Sequence, residues 1–325
     1  MAQASQPHLT IWAVSDGRAG IEAQAVGLAD AVARLRPAEV AIKQIGWTPP
    51  FGRLPWGLIP PRLALAPGSG IAPPWPDIWI AAGRATLPLS TRIGRWSQGR
   101  TFVVQAQHPR TNLEPFGLVI PPTHDGLAGS NVLPILGAPN RLNAERLASE
   151  LARFDTRIQA LPHPRVALIV GGKSKAFDLP PARAAAMAEE VAQAVAKAGG
   201  SLLVSFTRRT PPAAQRILAD ALSALPGWIW DGAGENPYLA FLAAADAILV
   251  TEDSTNLATD AAATGKPVHV LAMDGASRKF ARFHADLERR GIARRFTGEL
   301  EDWAYAPLDE TSRAAREILR RFSTS

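Results

Sequence analysis

Three short loops in the second half of the chain carry residue types that bind phosphate. One is a glycine pair followed by lysine and serine, another holds two adjacent arginines, and the third holds hydroxyl and amide side chains. Glycine-loop N–H groups, arginine side chains and helix N-termini all bind phosphate oxygens. The candidate residues are Gly171, Gly172, Lys173, Ser174, Ser205, Thr207, Arg208, Arg209, Ser254, Thr255 and Asn256. Together the loops predict a pocket for a diphosphate-bearing ligand, although a turn or a helix cap explains each of them alone.

Short apolar segments of strand length precede these loops, and helical segments follow them. Residues 166–172 end in the glycine pair, and residues 247–251 precede the hydroxyl run. Apolar residues with helical spacing follow at 181–198 and 212–225. This alternation predicts a parallel sheet. Ligands bind at the carboxyl ends of such strands, which is where the three loops lie.

The first half has the same alternation, with one irregular segment. Residues 9–14 form a predicted strand, which the loop SDGRAG connects to a predicted helix over 21–35. Further strands are predicted at 40–45, 77–82, 101–107 and 117–122. The exception is the Trp/Pro segment (residues 47–76), whose density of prolines excludes a regular helix or a central strand.

A linker punctuated by prolines at 161–165 separates the two α/β halves, and a helical segment ends the chain. The predicted domains are therefore 1–160 and 161–305, followed by a C-terminal helix within 306–325.

The chain has 35 basic and 29 acidic residues, and nearly all of the positive excess lies in the first half. A basic first half is either an ordinary solvated surface or a face for an anionic lipid or a phosphorylated substrate.

Composition and missing motifs exclude several classes of protein. A hydrophobic content of 47% with 20% charged residues excludes intrinsic disorder, and the absence of cysteine excludes thiolate chemistry. The six histidines lack metal-ligand spacing, and neither a dinucleotide-binding fingerprint nor a P-loop is present, so no metal and no cofactor are predicted. No basic run interleaved with aromatic residues predicts nucleic-acid binding. No spanning or targeting segment is apparent, so a cytoplasmic protein is expected.

The segment STNLATDAAATGKPV (254–268) resembles the nucleotide-sugar segment of GT-B glycosyltransferases. In that segment an acidic residue, normally Glu, holds the ribose hydroxyls, and the preceding small or hydroxyl residues hold the diphosphate. Asp260 occupies the position of this acid, with a side chain one methylene shorter. The alternative is that Asp260 is a surface carboxylate.

A wider set of motifs resembles one bacterial and plant family. The set comprises SDGRAG with Gln24, PDIWIAAGR, HPR, THDG, GGKS, TRRTP, ENPY and the segment from Asp253 to Val268. The family is known by the plant mitochondrial-fission factor Elm and is often classed with the glycosyltransferases. Bacterial members have also been labelled nucleoside-diphosphate-sugar epimerases. The resemblance extends from about residue 11 to about residue 305.

This resemblance implies a GT-B-like fold, with two Rossmann-like α/β domains facing a cleft and the C-terminal helix crossing back to the first domain. On this template the first half binds the acceptor and the second half binds the nucleotide-sugar donor. The backbone of SDGRAG, which includes Gly17, would face the donor phosphates. Asn236 and Tyr238, in ENPY, either shape a pocket for the base or simply begin a capped helix.

A transferase of this kind needs a general base for the acceptor hydroxyl and positive charge on the departing diphosphate. Asp16 and Glu22 are candidates for the base on this template, with His124 and His108 as rivals; alternatively, Asp16 caps its own loop. The arginine pair, with Lys173, supplies the positive charge, unless the arginines belong to a surface salt-bridge cluster.

The first hypothesis is therefore a metal-independent glycosyltransferase that uses a nucleoside-diphospho-sugar and an unidentified acceptor. The alternatives are a nucleotide-sugar epimerase of the same architecture and a non-catalytic, membrane-associated adaptor that retains the fold. The Trp/Pro segment either contacts a lipid-linked acceptor at the membrane surface, which would make the protein peripheral at the inner face of the membrane, or buries its own tryptophans.

Overall fold

A computed structural model describes residues 8–324 as two compact units. The first comprises residues 8–141 together with 309–324, and the second comprises residues 142–308. Each unit contains its own parallel β-sheet with helices packed against it. The predicted α/β class, with two separate sheets, is therefore confirmed.

The sheet of the first unit has five parallel strands in the order β2-β1-β3-β4-β5. These strands are β1 (Leu9–Ser15), β2 (Ala38–Gln44), β3 (Ile78–Ala82), β4 (Phe102–Ala106) and β5 (Leu118–Ile120). All residues of β3, β4 and β5 are buried, as expected for strands covered on both faces. The strand order reverses between β1 and β3, which defines a switch point at the carboxyl edge of this sheet.

The helices of the first unit before residue 141 are α1 (Ala19–Leu35), α2 (Pro61–Ala64) and α3 (Leu87–Trp96). Helix α1 follows SDGRAG as predicted and buries its apolar face in the core. Helix α3 begins at Leu87 and has Pro88 as its second residue. In the structure this proline lies in the first helical turn, where its missing N–H costs no hydrogen bond.

The Trp/Pro segment is irregular, as predicted, with two 3₁₀ turns (Phe51–Arg53 and Trp56–Leu58) before α2. Its tryptophans pack inward: Trp47, Trp56 and Trp75 contact the second core cluster of the first unit. These tryptophans are therefore partly buried against the first unit, which fits the alternative to a membrane-facing aromatic loop.

The second unit has a six-stranded parallel sheet in the order β13-β11-β10-β6-β8-β9. Its strands are β6 (Arg165–Val170), β8 (Ser201–Phe206), β9 (Gly227–Ile229), β10 (Ala247–Thr251), β11 (Val268–Leu271) and β13 (Ala293–Arg295), and the short pair is β7 (Phe177–Asp178) and β12 (Asp274–Gly275). Its helices are α4 (Ala144–Gln159), α5 (Pro181–Lys197), α6 (Pro212–Leu222), α7 (Tyr238–Ala244), α8 (Thr255–Ala262) and α9 (Arg278–Arg289). The strand order is that of a dinucleotide-binding fold, and it reverses between β6 and β10.

The boundary between the units lies at residue 141, whereas the sequence analysis placed it at 160. The difference is helix α4, which packs on α7 of the second unit. Phe154 lies 5.7 Å from Trp228 between ring centroids, and Ile158 is fully buried in the same cluster. The apolar face of α4 therefore belongs to the second core, although the proline linker follows it in the chain.

Helix α10 (Glu310–Phe322) belongs to the first unit, as the predicted crossing back of the C-terminal helix requires. Its Ala314, Ala315 and Ile318 are completely buried in the core that contains α1. The guanidinium of Arg313 also donates to the carbonyl of Pro134 at 2.6 Å. The chain therefore leaves the first unit after residue 141 and returns to complete its core.

Within residues 8–324, none of the helices has both the length and the apolar character needed to span a bilayer.

Candidate functional site

The three predicted phosphate loops meet at the carboxyl edge of the second sheet, where the strand order reverses. The backbone N–H of Lys173 donates to the carbonyl of Arg209 at 2.9 Å, which joins the loop after β6 to the loop after β8. The hydroxyl of Thr210 donates to the carbonyl of Gly171 at 2.5 Å. The backbone N–H of Gly171 donates to the hydroxyl of Thr251 at the end of β10 at 2.7 Å.

A buried carboxylate, Asp253, lies at the centre of these loops. Its side chain has no exposed surface. It accepts hydrogen bonds from the backbone N–H of Gly172 at 3.0 Å and from the hydroxyl of Thr251 at 2.7 Å. It also forms an ion pair with Arg209 at 2.7 Å. Asp253 thus ties together the loops that follow three neighbouring strands.

The glycine pair approaches this network so closely that no side chain fits. A Cβ on Gly171 would overlap with the carboxylate of Asp253, and a Cβ on Gly172 would overlap with the carbonyl of Arg209. The N–H groups of both glycines donate within the protein, to Thr251 and to Asp253 respectively. In this structure, therefore, the glycine N–H groups donate to a threonine hydroxyl and to a carboxylate within the protein, whereas the sequence predicted a phosphate as their partner.

The two residues after the glycine pair are also engaged in the loop itself. The ammonium of Lys173 is exposed and pairs with Asp178 at 2.8 Å. The hydroxyl of Ser174 accepts hydrogen bonds from the N–H groups of Ala176 and Phe177, which closes a tight turn. Ser174 is therefore a turn residue in this structure, and Lys173 can reach a ligand only by leaving an exposed ion pair.

The loop after β8 presents its two arginines in different ways. Arg209 is held by Asp253, whereas the exposed side chain of Arg208 forms no hydrogen bond or ion pair with any residue from 8 to 324. The hydroxyl of Thr207 accepts from the N–H of Arg209 at 3.3 Å, and Ser205 is buried within β8. Arg208 is therefore a cation available to a ligand at this edge.

Helix α8 begins at the same edge. Ser254 is its N-cap and accepts from the N–H of Leu257 at 3.4 Å, which leaves the first-turn residues Thr255 and Asn256 beside the loop of Asp253. The positive end of the helix dipole therefore lies beside Asp253, which pairs with Arg209.

Asp260 and Tyr238, assigned separately to the ribose and the base, contact each other in the structure. The hydroxyl of Tyr238 donates to Oδ2 of Asp260 at 2.9 Å. Burial raises the pKa of the Asp260 carboxyl to about 7, and the hydrogen bond from Tyr238 and the charge of Arg146 only partly oppose that rise. The same burial, with the carboxylate beside it, raises the pKa of the Tyr238 hydroxyl well above its ordinary value. Asp260 therefore changes its charge near neutral pH.

Asn236 serves the local backbone. Its side-chain carbonyl accepts from the N–H of Tyr238 at 3.0 Å, at the start of α7. This contact fits the helix-start interpretation of the ENPY motif, and it positions the ring of Tyr238 toward Asp260.

The loop after β1 in the first unit contains both predicted carboxylate bases. Both oxygens of Asp16 contact the guanidinium of Arg18, the shortest distance being 2.7 Å. Oε2 of Glu22 accepts from the side-chain amide of Gln44 at 2.6 Å and from Ser15 at 3.4 Å. Gly17 between them has a φ of +76°, as the sharp turn out of β1 requires. Only Glu22 keeps one carboxylate oxygen outside these contacts.

The two rival histidines differ in accessibility. The side chain of His124 is almost completely buried, with Nε2 at 4.0 Å from a carboxylate oxygen of Asp125. His108 is half-buried at the end of β4 and accepts the N–H of Arg110 on Nδ1. Among residues 8–324, no three His, Asp or Glu side chains lie close enough together to hold a metal ion.

Sequence reasoning missed Asp253, Thr251 and Arg146. Asp253 follows a buried strand directly, in the segment TEDSTN, and this position at a strand end was the available signal. Only the hydroxyl and amide side chains of that segment were among the predicted site residues. The contact between Arg146 and the Asp260 region has no sequence signal, since α4 was assigned to the other half.

Solved structures with the same fold include nucleotide-sugar enzymes. The UDP-GlcNAc 2-epimerase of Methanocaldococcus jannaschii matches with a TM-score of 0.59 and 12% identity, covering 98% of this chain and 100% of that one. The rice protein Os79, solved in complex with UDP, matches with a TM-score of 0.52 and 12% identity, covering 97% and 94%. At these identities the matches establish the fold alone, and they confirm the predicted GT-B-like fold class.

Sequence comparison identifies the family. The mitochondrial fission protein ELM1 of Arabidopsis thaliana is 32% identical over 275 residues, covering 76% of this chain and 64% of that protein. An uncharacterized protein of Rickettsia prowazekii, RP120, is 26% identical over 285 residues, covering 75% and 79%. The sequence profile described as "Mitochondrial fission ELM1" matches residues 19–322. The chain therefore belongs to the mitochondrial fission ELM1 family.

Proposed function

We propose that this protein is a glycosyltransferase that takes a sugar from a nucleoside-diphospho-sugar and transfers it to an unidentified acceptor, which is phosphorylated or lipid-linked. The observation that carries the proposal is the set of donors at the carboxyl edge of β6, β8 and β10. Arg208, the ion-paired Arg209 and the start of α8 converge there, at a point where open α/β sheets bind ligands. Two structures of the same fold contain UDP-GlcNAc or UDP, which supports this ligand class.

In this proposal the arginines stabilise the negative charge that develops on the departing nucleoside diphosphate. Guanidinium groups bind phosphate oxygens bidentately and stay charged at any physiological pH, so they can perform this role without a metal ion. Asp260 forms a hydrogen bond with a ribose hydroxyl through Oδ1, because Oδ2 already accepts from Tyr238. The ring of Tyr238 forms one wall of the base pocket.

Glu22 is the general base that we propose for the acceptor hydroxyl. Its Oε2 is fixed by Gln44 and Ser15, which leaves Oε1 to take a proton. Asp16, in contrast, has both oxygens on Arg18. His124 is too buried to meet a substrate without rearrangement.

A nucleotide screen tests the donor site. We expect one of the UDP, GDP, CMP or ADP sugars to raise the melting temperature, and we expect Arg208→Gln to weaken its binding about tenfold or more because a charge-assisted phosphate contact is lost. Arg289→Gln, an exposed arginine at the far end of α9, is the matched control and should leave the affinity unchanged. Equal affinities in wild type and Arg208→Gln would exclude Arg208 from the site.

The second candidate is an epimerase, which needs the same donor site but no acceptor. Two solved structures of UDP-GlcNAc 2-epimerases match this chain with TM-scores of 0.50 and 0.59. Turnover of the sugar nucleotide without an added acceptor would favour this reaction. A third candidate, a non-catalytic adaptor that retains the fold, requires that none of the sugar nucleotides bind.

We further propose that the first unit touches a membrane surface through the Trp/Pro segment. Although its tryptophans are partly buried, Leu58 and Leu63 are 68% and 79% exposed, and Leu54 is 39% exposed. Between residues 40 and 76 the chain has no acidic residue, while Arg53 and Arg62 lie beside these leucines. Exposed leucines flanked by arginines suit the interface of an anionic bilayer, which would place the protein peripherally on the membrane.

Vesicle co-sedimentation tests this contact. Vesicles that contain anionic phospholipid should bind the protein more strongly than neutral vesicles. The double variant Leu58→Glu/Leu63→Glu should lose most of the bound fraction, because two charges then enter the headgroup region. Leu35→Glu, at a 48% exposed leucine at the end of α1, is the control and should bind like wild type. Equal binding of both variants would rule out the Trp/Pro segment as the contact.

A further inference from the structure

Three arginines follow three neighbouring strands at the carboxyl edge of the first sheet. Arg18 follows β1, Arg84 follows β3 and Arg110 follows β4. Strand β3 lies between the other two, and the register that pairs Ala82 with Ala106 brings the ends of β3 and β4 to the same level. The three arginines therefore lie along one edge, across the switch point of this sheet.

The structure leaves two of these arginines without an anionic partner. The guanidinium of Arg18 pairs with Asp16, and its Nη2 lies 3.9 Å from the position that a Cβ on Gly83 would take, next to Arg84. The side chains of Arg84 and Arg110 are exposed and form no hydrogen bond or ion pair with any residue in the described range 8–324. Like charges gathered at one sheet edge repel each other, and a bound anion would offset that repulsion.

The turn that contains Arg110 has two non-glycine residues with positive φ angles. Gln107 and Arg110 have φ angles of +72° and +55°, in the left-handed region that ordinarily favours glycine. The N–H of Arg110 donates to Nδ1 of His108 at 3.0 Å, so the proton of the neutral imidazole is on Nε2. The turn thus presents a guanidinium and an imidazole N–H, both of which are donors to an anion.

A hydrogen bond across the sheet holds this turn against α1. The side-chain amide of Gln107 donates to that of Gln24 at 2.9 Å, and Gln24 is buried in the helix that follows Arg18. The end of β4 and the start of α1 are thereby linked over β3. The acidic side chains nearby are engaged, since Asp16 contacts Arg18 and Glu22 contacts Gln44.

We propose that Arg84 and Arg110, together with Nε2 of His108 and the outer face of Arg18, bind a phosphate group of the acceptor. This inference rests on the proposed function, because it specifies the acceptor of the proposed transferase. That acceptor is a phosphate ester that presents a hydroxyl to Glu22. Arginine forks bind phosphate oxygens bidentately, and a switch point is where open sheets bind ligands.

Isothermal titration of the full chain with inorganic phosphate and pyrophosphate tests the site, in the presence of the sugar nucleotide that raises the melting temperature most. We expect both anions to bind the nucleotide-saturated protein, and Arg84→Gln or Arg110→Gln to weaken their binding about fivefold or more. Arg34→Gln, an exposed arginine in the last turn of α1, should not weaken it. Because these side chains are exposed, circular dichroism should show unchanged folding.

Two results would overturn the proposal. The first is equal anion affinity in wild type and Arg84→Gln. The second is a loss of sugar-nucleotide affinity in Arg84→Gln or Arg110→Gln, which would assign these arginines to the donor diphosphate. If the proposed donor site is wrong, the results differ: Arg208→Gln leaves nucleotide binding intact, or none of the nucleotides binds. The anion titration is then performed without nucleotide.

Discussion

Replacing Asp253 with alanine should lower the free energy of unfolding by about 1–3 kcal/mol, because it leaves the buried donors of Gly172 and Thr251 without an acceptor. The carboxylate accepts from Gly172 and Thr251 and pairs with Arg209, and it has no exposed surface. Removing the carboxylate leaves hydrogen-bond donors on three loops without their acceptor. We expect sugar-nucleotide binding to disappear as well, because Arg208 lies in one of those loops.

Urea unfolding of the variant and the wild type measures this effect. Asp253→Asn keeps the volume and one acceptor, so it should cost less than Asp253→Ala while still weakening the hold on Arg209. Asp178→Ala is the matched control, since it removes an exposed carboxylate that pairs with Lys173 in the same region, and the midpoint should hardly change. If Asp253→Ala unfolds at the wild-type midpoint, Asp253 is not the tie between the loops.

The second large effect is a pH dependence that comes from Asp260. Burial raises its pKa to about 7, so the folded protein keeps a proton that the unfolded chain loses near pH 4. Stability should therefore fall as the pH rises from about 4 to about 7. One pKa unit corresponds to about 1.4 kcal/mol, which gives roughly 4 kcal/mol for the whole shift and about 2 kcal/mol after allowance for partial exposure.

Asp260→Asn should remove this pH dependence. The variant should match the wild type near pH 4 and exceed its stability at pH 8 by about 2 kcal/mol, as measured by urea unfolding at both pH values. Sugar-nucleotide affinity should show an inflection near pH 7 in the wild type and none in the variant. Parallel pH profiles in the two proteins would contradict the assignment.

Tyr238→Phe provides a directional control for the same group. The hydroxyl of Tyr238 lowers the pKa of Asp260 by donating to the carboxylate, so its removal should move the inflection to higher pH. A shift to lower pH would mean that the hydrogen bond stabilises the protonated carboxyl.

The sequence predicted most strands of the two sheets because they are short apolar runs. It did not predict β13, whose three residues include two arginines. It failed where tertiary contacts decide the outcome. Helix α4 has an apolar stripe that fits either half, and only the packing of Phe154 on Trp228 assigns it to the second unit. Helix α3 was not among the predicted helices, and its Pro88 lies in the first helical turn, which tolerates proline.

The candidate site was predictable in location but not in its internal contacts. Parallel strands place Gly171, Arg208 and Ser254 at one edge, and the order of loops along the chain is enough to predict this. The role of Asp253 depends on the close approach of the glycine loop to β10, which residue types do not reveal. The same holds for the contact between Tyr238 and Asp260, which links two motifs that the sequence presents separately.

The return of helix α10 to the first unit determines the order in which the two units can fold during synthesis on the ribosome. The core that Ala314, Ala315 and Ile318 complete contains strands made before residue 141, yet these three side chains are synthesised after the whole second unit. The second unit is therefore the one that can finish folding first, although its residues emerge later. Until α10 emerges, the nascent first unit exposes the apolar groove that this helix fills, and it depends on the rest of translation for protection.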